Sequence, residues 1–382
     1  MKLILKLLAG IVAGIVIGLI VNETIMEYIM TFQLIFGQFL EYVVPFIILF
    51  FITSGVSQMG KDGGKLLGWA SGISYGSTVV AGVLAFAVAA LILPLFISGD
   101  ASAIDESNGF SSLLDFEIPP AMDILTALFT AFIFGIGIAR TEATTLQRFF
   151  EEGKHIIVKL LWAVVIPLLP FYIASIFAEL SAEGTVWETL ASFGLVLLLV
   201  LATHWLYLLG AFSITGGITG RNPFKLLKTM LPAYFTGIGT MSSAATIPVT
   251  TEQTKKNNVD DSVADSVIPF GANIHLAGST MTITIATMAV MMLFDGLPSP
   301  TFGEMFPFIL ALGVIMIAAP GVPGGAIIAA SGLLTSMLGF NEAAVGVMIA
   351  LYMAQDSLGT GCNVTGDGAI ALVINRFISK EK

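Results

Sequence analysis

Long apolar stretches separated by short polar segments run through most of the sequence. A helix that crosses a bilayer needs about 20 predominantly apolar residues. The apolar runs are continuous rather than alternating, so they indicate helices and argue against a membrane barrel. This length predicts spans near residues 3–22, 29–56, 66–98, 119–139, 155–180, 188–219, 260–293 and 341–376. The pattern therefore predicts an all-α integral membrane protein with eight transmembrane helices.

A segment at about 223–256 is apolar but too short for two spans. Only 26 residues separate Lys228 from Lys255, whereas two spans need about 40. The centre of the segment reads Ser242-Ser243-Ala244-Ala245. We predict a helical hairpin that enters and leaves the membrane on one side, with a pair of interfacial helices as the alternative.

A second interrupted segment, at about 300–340, carries Pro320-Gly321-Val322-Pro323-Gly324-Gly325 at its centre. Pro and Gly free backbone groups that only protein or water can satisfy at membrane depth. We predict a second re-entrant hairpin, with two short crossings as the alternative. Two such segments that open to opposite faces indicate inverted repeats with a binding site between them.

Charged residues form 11% of the sequence, against roughly 25% in soluble domains. Lysine and arginine are confined to alternate loops, and the loops between them carry acidic residues. Because basic loops stay cytoplasmic, both termini are predicted to be cytoplasmic in a cell (plasma) membrane. The net charge of −10 lies mostly in the predicted external loops and does not indicate nucleic-acid binding. The single cysteine, Cys362, excludes an internal disulfide.

The last predicted span carries four polar residues on one face. They are Asp356, Thr360, Asn363 and Asp367, at spacings of four, three and four. Ionisable groups inside a membrane are costly, so these are candidates for a functional site. Two carboxylates, a hydroxyl and an amide suit a cation and an ammonium group. A hydrogen-bonded seam between helices is the alternative, although no Lys or Arg is available in the membrane to pair with the carboxylates.

Three motifs connect the chain to a known family. The run Ser242-Ser243-Ala244-Ala245-Thr246-Ile247-Pro248-Val249-Thr250 is similar to a serine-rich first hairpin tip, and Gly321-Val322-Pro323-Gly324 looks like the second tip. Asn363-Val364-Thr365-Gly366-Asp367 matches an eighth-span motif. In this order and spacing, over essentially the full length, the chain resembles the dicarboxylate/amino acid:cation symporters, which include the glutamate transporter homologues.

The resemblance implies an elevator-type transporter that assembles as a homotrimer in the lipid bilayer. It implies a scaffold at 1–56 and 119–183 and a mobile transport part at 66–98 and 188–376 that contains both hairpins. Asp356 matches the carboxylate that holds a substrate amino group. The other implied substrate-binding positions are Ser242, Ser243, Val322, Gly359, Thr360 and Asn363, and the implied sodium-site positions are Gly271, Asn273, His275, Asn363 and Asp367.

Several positions depart from the family pattern. Gly359 stands where members that carry acidic amino acids have an Arg, and Met241 stands at an alternative Arg position. No guanidinium remains for bidentate carboxylate binding. Three positions implied in sodium binding are also changed: Ala277, Ala319 and Tyr352. The run Gln355-Asp356-Ser357 resembles the serine/threonine branch.

These observations predict a symporter for a small neutral amino acid such as serine or threonine, with sodium as the coupling ion and no other cofactor. Proton coupling through His275 or Asp367 is the alternative for the ion. Uptake of an acidic amino acid or dicarboxylate is the alternative for the substrate, and a passive channel is the alternative class. An intramembrane hydrolase is disfavoured because no activated nucleophile is evident around His275 and Ser279, so we do not expect an enzyme. His275 also has a purely structural alternative, donation to a backbone carbonyl.

Overall fold

The described residues of the computed structural model are 2–58, 64–97, 111–114, 117–294, 296–317 and 319–379. Within these ranges the chain is helical and contains no β-strand, which confirms the predicted all-α class. The helices are α1 (Lys2–Ile20), α2 (Glu23–Gln58), α3 (Gly64–Ile92), α4 (Ile124–Thr141), α5 (Thr144–Leu160), α6 (Ile166–Ala182), α7 (Val186–Thr219), α8 (Pro223–Thr240), α9 (Ser243–Lys256), α10 (Asp261–Ile274), α11 (Ala277–Leu293), α12 (Phe302–Met316), α13 (Gly325–Leu338) and α14 (Glu342–Ser379). Most of the polar loop at 99–118 lies outside the described residues.

Six segments of the described chain are long and apolar enough to cross a membrane. They are Glu23–Ser57, Gly68–Leu95, Ile124–Thr141, Thr144–Ala182, Thr189–Thr219 and Asp261–Leu293. The apolar part of α1 is shorter, and α14 is long but carries the polar residues of the last predicted span. The chain is therefore a multi-helix membrane protein, and the count of eight spans stays a prediction.

Two helix pairs occupy the segments that were predicted to form hairpins. The pair α8–α9 turns at Met241 and Ser242, and the pair α12–α13 is joined by a non-helical segment around 319–324. Helices α9 and α13 have 14 residues each, which corresponds to about 21 Å. That is shorter than the ~30 Å hydrocarbon core, so a turn between the paired helices lies at membrane depth if either pair enters the bilayer.

The segment predicted as one span at 260–293 is broken. Helix α10 ends at Ile274, α11 begins at Ala277, and His275 has an extended backbone with φ −109° and ψ 92°. The hydropathy pattern did not reveal this interruption because both halves are apolar. The break releases backbone groups from helical hydrogen bonding beside the site described below.

Helix α1 packs closely against α6 through a stripe of small residues. Gly10, Gly14 and Gly18 recur every four residues on α1 and face backbone carbonyl groups of α6. A Cβ atom at Gly14 would collide with the carbonyl oxygen of Ala174. Small residues at this spacing let two membrane helices approach closely.

We expect Gly14→Ala to destabilise the protein. Alanine normally stabilises a helix interior relative to glycine by about 0.5–1 kcal/mol, but overpacking a close contact costs about 1–3 kcal/mol. Gly137→Ala on α4 is the matched control, because its Cβ would meet no atom within 4 Å. Thermal unfolding in detergent should show a lower Tm for Gly14→Ala and an unchanged or higher Tm for Gly137→Ala. Equal behaviour of the two variants would contradict the packing role of Gly14.

Candidate functional site

A cavity of about 70 Å³ lies where the two hairpin turns meet α10, α11 and α14. Its lining residues are Met241, Ser242, Ser243, Ala244, Ala272, Asn273, Leu276, Ser279, Ala319, Pro320, Gly321, Val322, Ala326, Tyr352, Asp356, Thr360 and Asn363. A group the size of a water molecule needs about 10–15 Å³ of such cavity volume, so the cavity suits a small molecule of roughly five to seven such groups. Among the predicted substrate positions, only Gly359 is not part of the lining.

Asp356 connects α14 to the second hairpin. Its side chain is buried, and its Oδ2 accepts a hydrogen bond of 2.9 Å from the backbone N–H of Gly324. Gly324 is the N-cap of α13 and has φ 74°, a conformation that favours glycine. A Cβ at this position would also collide with the sulfur of Met353. The hairpin turn therefore closes directly onto the carboxylate of Asp356.

A group of hydroxyl and amide side chains covers another wall of the cavity. Oδ1 of Asn363 accepts from the N–H of Gly278 at 2.7 Å, and Nδ2 of Asn363 donates to Oγ of Ser279 at 3.2 Å. The hydroxyl of Tyr352 donates to the same Oγ at 3.0 Å. Because Ser279 Oγ accepts from both, its own proton remains available for another acceptor, and Ser279 lines the cavity. The hydroxyl of Thr360 donates to the carbonyl oxygen of Asp356 at 2.9 Å.

Two helix N-termini point at the cavity. Ser242 caps α9, since its Oγ accepts from the N–H of Ala245 at 3.2 Å, and Ser243 begins that helix. Gly324 stands at the N-terminus of α13. Unpaired N–H groups and the helix dipole make such ends favourable for anions. The cavity thus combines a buried carboxylate on one side with sites suited to an anionic group on another.

Asp367 lies deeper, outside the cavity lining. Its side chain is buried, and the Nδ1–H of His275 donates to its Oδ1 at 2.9 Å. Oδ2 of Asp367 is buried and has no partner among the described residues. A Cβ at Gly271 would lie 2.9 Å from Oδ1 of Asp367, so the glycine makes room for the carboxylate. An unpartnered buried carboxylate oxygen is costly and suits a bound cation.

His275 does not donate to a backbone carbonyl, the structural alternative considered for it. Its Nε2 lies 3.2 Å from the hydroxyl of Tyr207 and 3.3 Å from Oγ of Ser77. Those two hydroxyl oxygens are 2.6 Å apart. Because Asp367 fixes the proton on Nδ1, Nε2 is the acceptor in the neutral ring. The ring therefore bridges α3, α7 and α14 from the break between α10 and α11.

The structure divides the predicted sodium-site residues into two groups. Asn273 and Asn363 line the cavity, while Gly271, His275 and Asp367 lie behind it. The side chain of Asn273 donates to the carbonyl oxygen of Pro269 at 2.8 Å. No group of three or more His, Cys, Asp or Glu side chains suited to a metal occurs in the described part of the chain. Any ion here would depend on backbone and amide oxygens besides one carboxylate, a ligand set suited to a hard monovalent cation.

Gly359 and Met241, the two positions where the resemblance implies an arginine in carriers of acidic amino acids, have different surroundings. Gly359 is buried, and a Cβ there would be in ordinary contact with the backbone N of Ser279, at 3.6 Å. Met241 lines the cavity and adopts φ 54° at the end of α8. Met241 therefore borders the cavity itself, whereas a side chain at Gly359 would first meet Ser279 in the cavity wall.

Comparison with known proteins is consistent with this architecture. The profile of the sodium:dicarboxylate symporter family matches residues 3–377. Excitatory amino acid transporter 1 of Homo sapiens is 27% identical over 255 residues, which are 65% of this chain and 46% of the relative. Neutral amino acid transporter B(0) of Macaca fascicularis is 23% identical over 266 residues, or 68% of this chain and 48% of the relative. The chain thus spans about half the length of these curated relatives.

The family match agrees with the resemblance inferred from the two hairpin tips and the last helix. Because the match extends over nearly all of the chain, it includes every element that builds the cavity. The chain belongs to the sodium:dicarboxylate symporter family.

Proposed function

We propose that this protein is a sodium-coupled symporter that takes up a small neutral amino acid such as serine or threonine. The observation that carries the proposal is the charge of the cavity lining. It contains one carboxylate, Asp356, and its described residues include no Lys, Arg or His. A zwitterionic amino acid matches a site with one carboxylate and two helix N-termini.

The proposed binding mode assigns each substrate group to a different wall. The ammonium group pairs with Asp356, which is buried and already oriented by Gly324. The α-carboxylate accepts from the N–H groups at the start of α9, near Ser243, and at the hairpin turn before α13. A substrate hydroxyl accepts from Ser279, whose oxygen is already used by two other donors.

The relatives leave two substrate classes open. One is named for excitatory amino acids and the other for neutral amino acids, and the family description names dicarboxylates. A second carboxylate on the substrate would be desolvated here without a cationic partner, which is strongly unfavourable. This argument favours neutral substrates over an acidic amino acid or a dicarboxylate.

Sodium is the proposed coupling ion. The buried, unpartnered Oδ2 of Asp367 is the natural ligand, and the last turn of α10, which contains Gly271 and Asn273 and ends at Ile274, would supply carbonyl oxygens nearby. Sodium prefers such hard oxygen ligands. Asn363 is the residue through which ion and substrate binding would be linked, because it lines the cavity one turn away from Asp367 on α14.

We further infer the family architecture for the whole assembly. It has eight spans and two re-entrant hairpins, cytoplasmic termini in the plasma membrane, and a homotrimeric state. The packing partners support a scaffold at 1–56 and 119–183 and a transport part at 66–98 and 188–376. Helix α1 packs against α6 and α2 against α4, whereas α3 packs against α11 and α8 against α14. In an elevator mechanism the cavity would move with the second group of helices.

Uptake into proteoliposomes tests the proposal. Labelled serine, aspartate and succinate are offered with and without an inward sodium gradient. We expect accumulation of serine above equilibrium only with the gradient, and little uptake of the two acids. Equilibration without accumulation would indicate a passive channel, and preferential uptake of aspartate or succinate would overturn the proposed substrate class.

Asp367→Asn is expected to weaken sodium dependence selectively. Removing a charged ligand costs about 1.5–3 kcal/mol, so the sodium concentration for half-maximal uptake should rise by roughly tenfold or more. The KM for serine at saturating sodium should change far less. Asp265→Asn is the control, since that carboxylate is exposed and pairs with Lys255 on the surface. If replacing sodium by choline leaves wild-type uptake unchanged, the coupling ion is not sodium.

A further inference from the structure

A groove separate from the substrate cavity runs between α3, α7 and α14. Its volume is about 490 Å³, and most of its wall is apolar. The residues that line it include Gly76, Ser77 and Val80 on α3, Tyr207 and Gly210 on α7, and Ile370 on α14. It shares no lining residue with the substrate cavity.

Glycine residues in its wall leave this groove open to the surface of the protein. A Cβ atom at Gly76 on α3 or at Gly210 on α7 would meet no atom within 4 Å. Val80, Leu206 and Ile214 on the rim are 62%, 50% and 66% exposed. Both helices belong to the segments able to cross a membrane, so the groove opens onto a surface that the bilayer covers.

Two of the three hydroxyl groups in the wall, those of Ser77 and Tyr207, are satisfied from within the protein. The hydroxyl groups of Ser77 and Tyr207 are 2.6 Å apart, and both contact Nε2 of His275. They therefore require no hydrogen-bond partner in the groove. Apart from the hydroxyl of Thr215, the surface that remains for a ligand is apolar, which favours a hydrocarbon chain over a polar molecule.

The length of the groove is close to the hydrocarbon thickness of one leaflet. On α3 the lining extends from Ile73 to Leu84, about 16 Å along the helix axis, and half of the hydrocarbon core is about 15 Å. On α7 and α14 the lining lies in the C-terminal part of each helix, which the charge distribution predicts to be cytoplasmic. On α3 it begins about two turns inside the predicted cytoplasmic end, so along this helix the groove extends past the middle of the hydrocarbon core.

We propose that this groove binds one acyl chain of a membrane lipid from the cytoplasmic leaflet. The chain would fill the space above Gly76 and Gly210 and pack against Tyr207, Ile370 and Val373. Binding of this kind adds the free energy of apolar burial to the contact of α3 with α7 and α14. The site does not depend on which substrate or ion the protein transports.

Photolabelling of the full chain in proteoliposomes tests this proposal. The probe is a phosphatidylcholine with a diazirine in the middle of one acyl chain, and labelled residues are mapped by mass spectrometry. We expect the label to concentrate on the groove residues of α7 and α14. Leu198, which is 68% exposed on α7 but outside the groove, provides the level of labelling by surrounding lipid.

Glycine substitutions provide matched variants on both walls. Gly210→Leu and Gly76→Leu place a side chain in the groove, whereas Gly217→Leu and Gly72→Leu add the same side chain at open positions outside its lining. A leucine side chain in the groove would displace about two methylenes of a bound acyl chain, so the first pair should label about tenfold less in the groove. The second pair should label like the wild type.

Two results would overturn the lipid site. One is wild-type labelling in the groove no stronger than at Leu198. The other is unchanged groove labelling in folded Gly210→Leu or Gly76→Leu protein, with folding checked by gel filtration. If one of the two substitutions prevents folding, the variant on the opposite wall of the groove still tests the lipid site. The labelling pattern of the wild-type protein also tests the site without any variant. If the wild-type protein shows concentrated groove labelling but takes up no serine, the transport proposal fails and the lipid site stands.

Discussion

Asp356→Asn is expected to abolish amino-acid uptake while leaving the protein folded. The carboxylate is buried in the cavity and is the lining's single anionic side chain within the described chain. Truncating one partner of a buried charge pair costs about 2–5 kcal/mol, so serine affinity should fall by roughly 30-fold or more. Serine binding measured by calorimetry on purified protein, together with uptake, provides the test.

The asparagine side chain is close in shape to aspartate, and its Oδ1 can still accept from Gly324. The hairpin contact should therefore survive, and gel filtration and Tm should stay near wild type. Asp265→Asn makes the same chemical change at an exposed carboxylate and should leave serine affinity unchanged. Near-normal serine binding by the Asp356→Asn protein would eliminate the proposed ammonium contact.

Much of the site was predictable because its chemistry is local in sequence. The hairpin turn at Met241 and Ser242 follows from an apolar segment too short for two spans. The second turn follows from the Pro/Gly run around Val322. Asp356, Thr360 and Asn363 follow from helical spacing alone, and all three line the cavity.

Spacing did not predict how deep each residue lies. Asp367 shares a helix face with Asp356, but eleven residues along an α-helix correspond to about 16 Å. The structure accordingly places Asp367 behind the cavity rather than in its wall. Periodicity defines the face of a helix, and only packing of the neighbouring elements defines which part of that face borders the site.

The pattern of apolar and polar residues also did not predict contacts between segments that are distant in sequence. His275 and Asp367 are 92 residues apart, and neither has a neighbour in sequence that indicates their pairing. The close approach of Gly278 to the carbonyl oxygen of Gly359 is a backbone contact that hydropathy does not encode. The apolar groove between α3, α7 and α14 likewise depends on which faces of three distant helices remain uncovered.

Because neither Gly359 nor Met241 is an arginine, we expect the protein to discriminate strongly between neutral and acidic substrates. We expect aspartate to compete with serine uptake at least 30-fold less effectively than serine itself, because its side-chain carboxylate would be desolvated without a partner at a cost of about 2–5 kcal/mol. Competition in the unmodified protein measures this directly. Aspartate competing as well as serine would refute the neutral-substrate proposal.

Met241→Arg should reduce or reverse the preference for serine over aspartate. Met241 lines the cavity at the end of α8, so a guanidinium introduced there can reach a substrate carboxylate and bind it in a bidentate manner. Met241 already adopts φ 54° with a side chain in place, so the exchange to arginine adds no new backbone requirement. Met241→Gln adds polarity without charge and should leave aspartate a weak competitor.

Gly359→Arg is the contrasting substitution. Gly359 is buried against the start of α11 and is not part of the cavity lining. The expected effect of Gly359→Arg is therefore loss of folded protein rather than a gain in aspartate affinity. Acidic selectivity from Gly359→Arg but not from Met241→Arg would show that the substrate contacts the opposite wall from the one proposed.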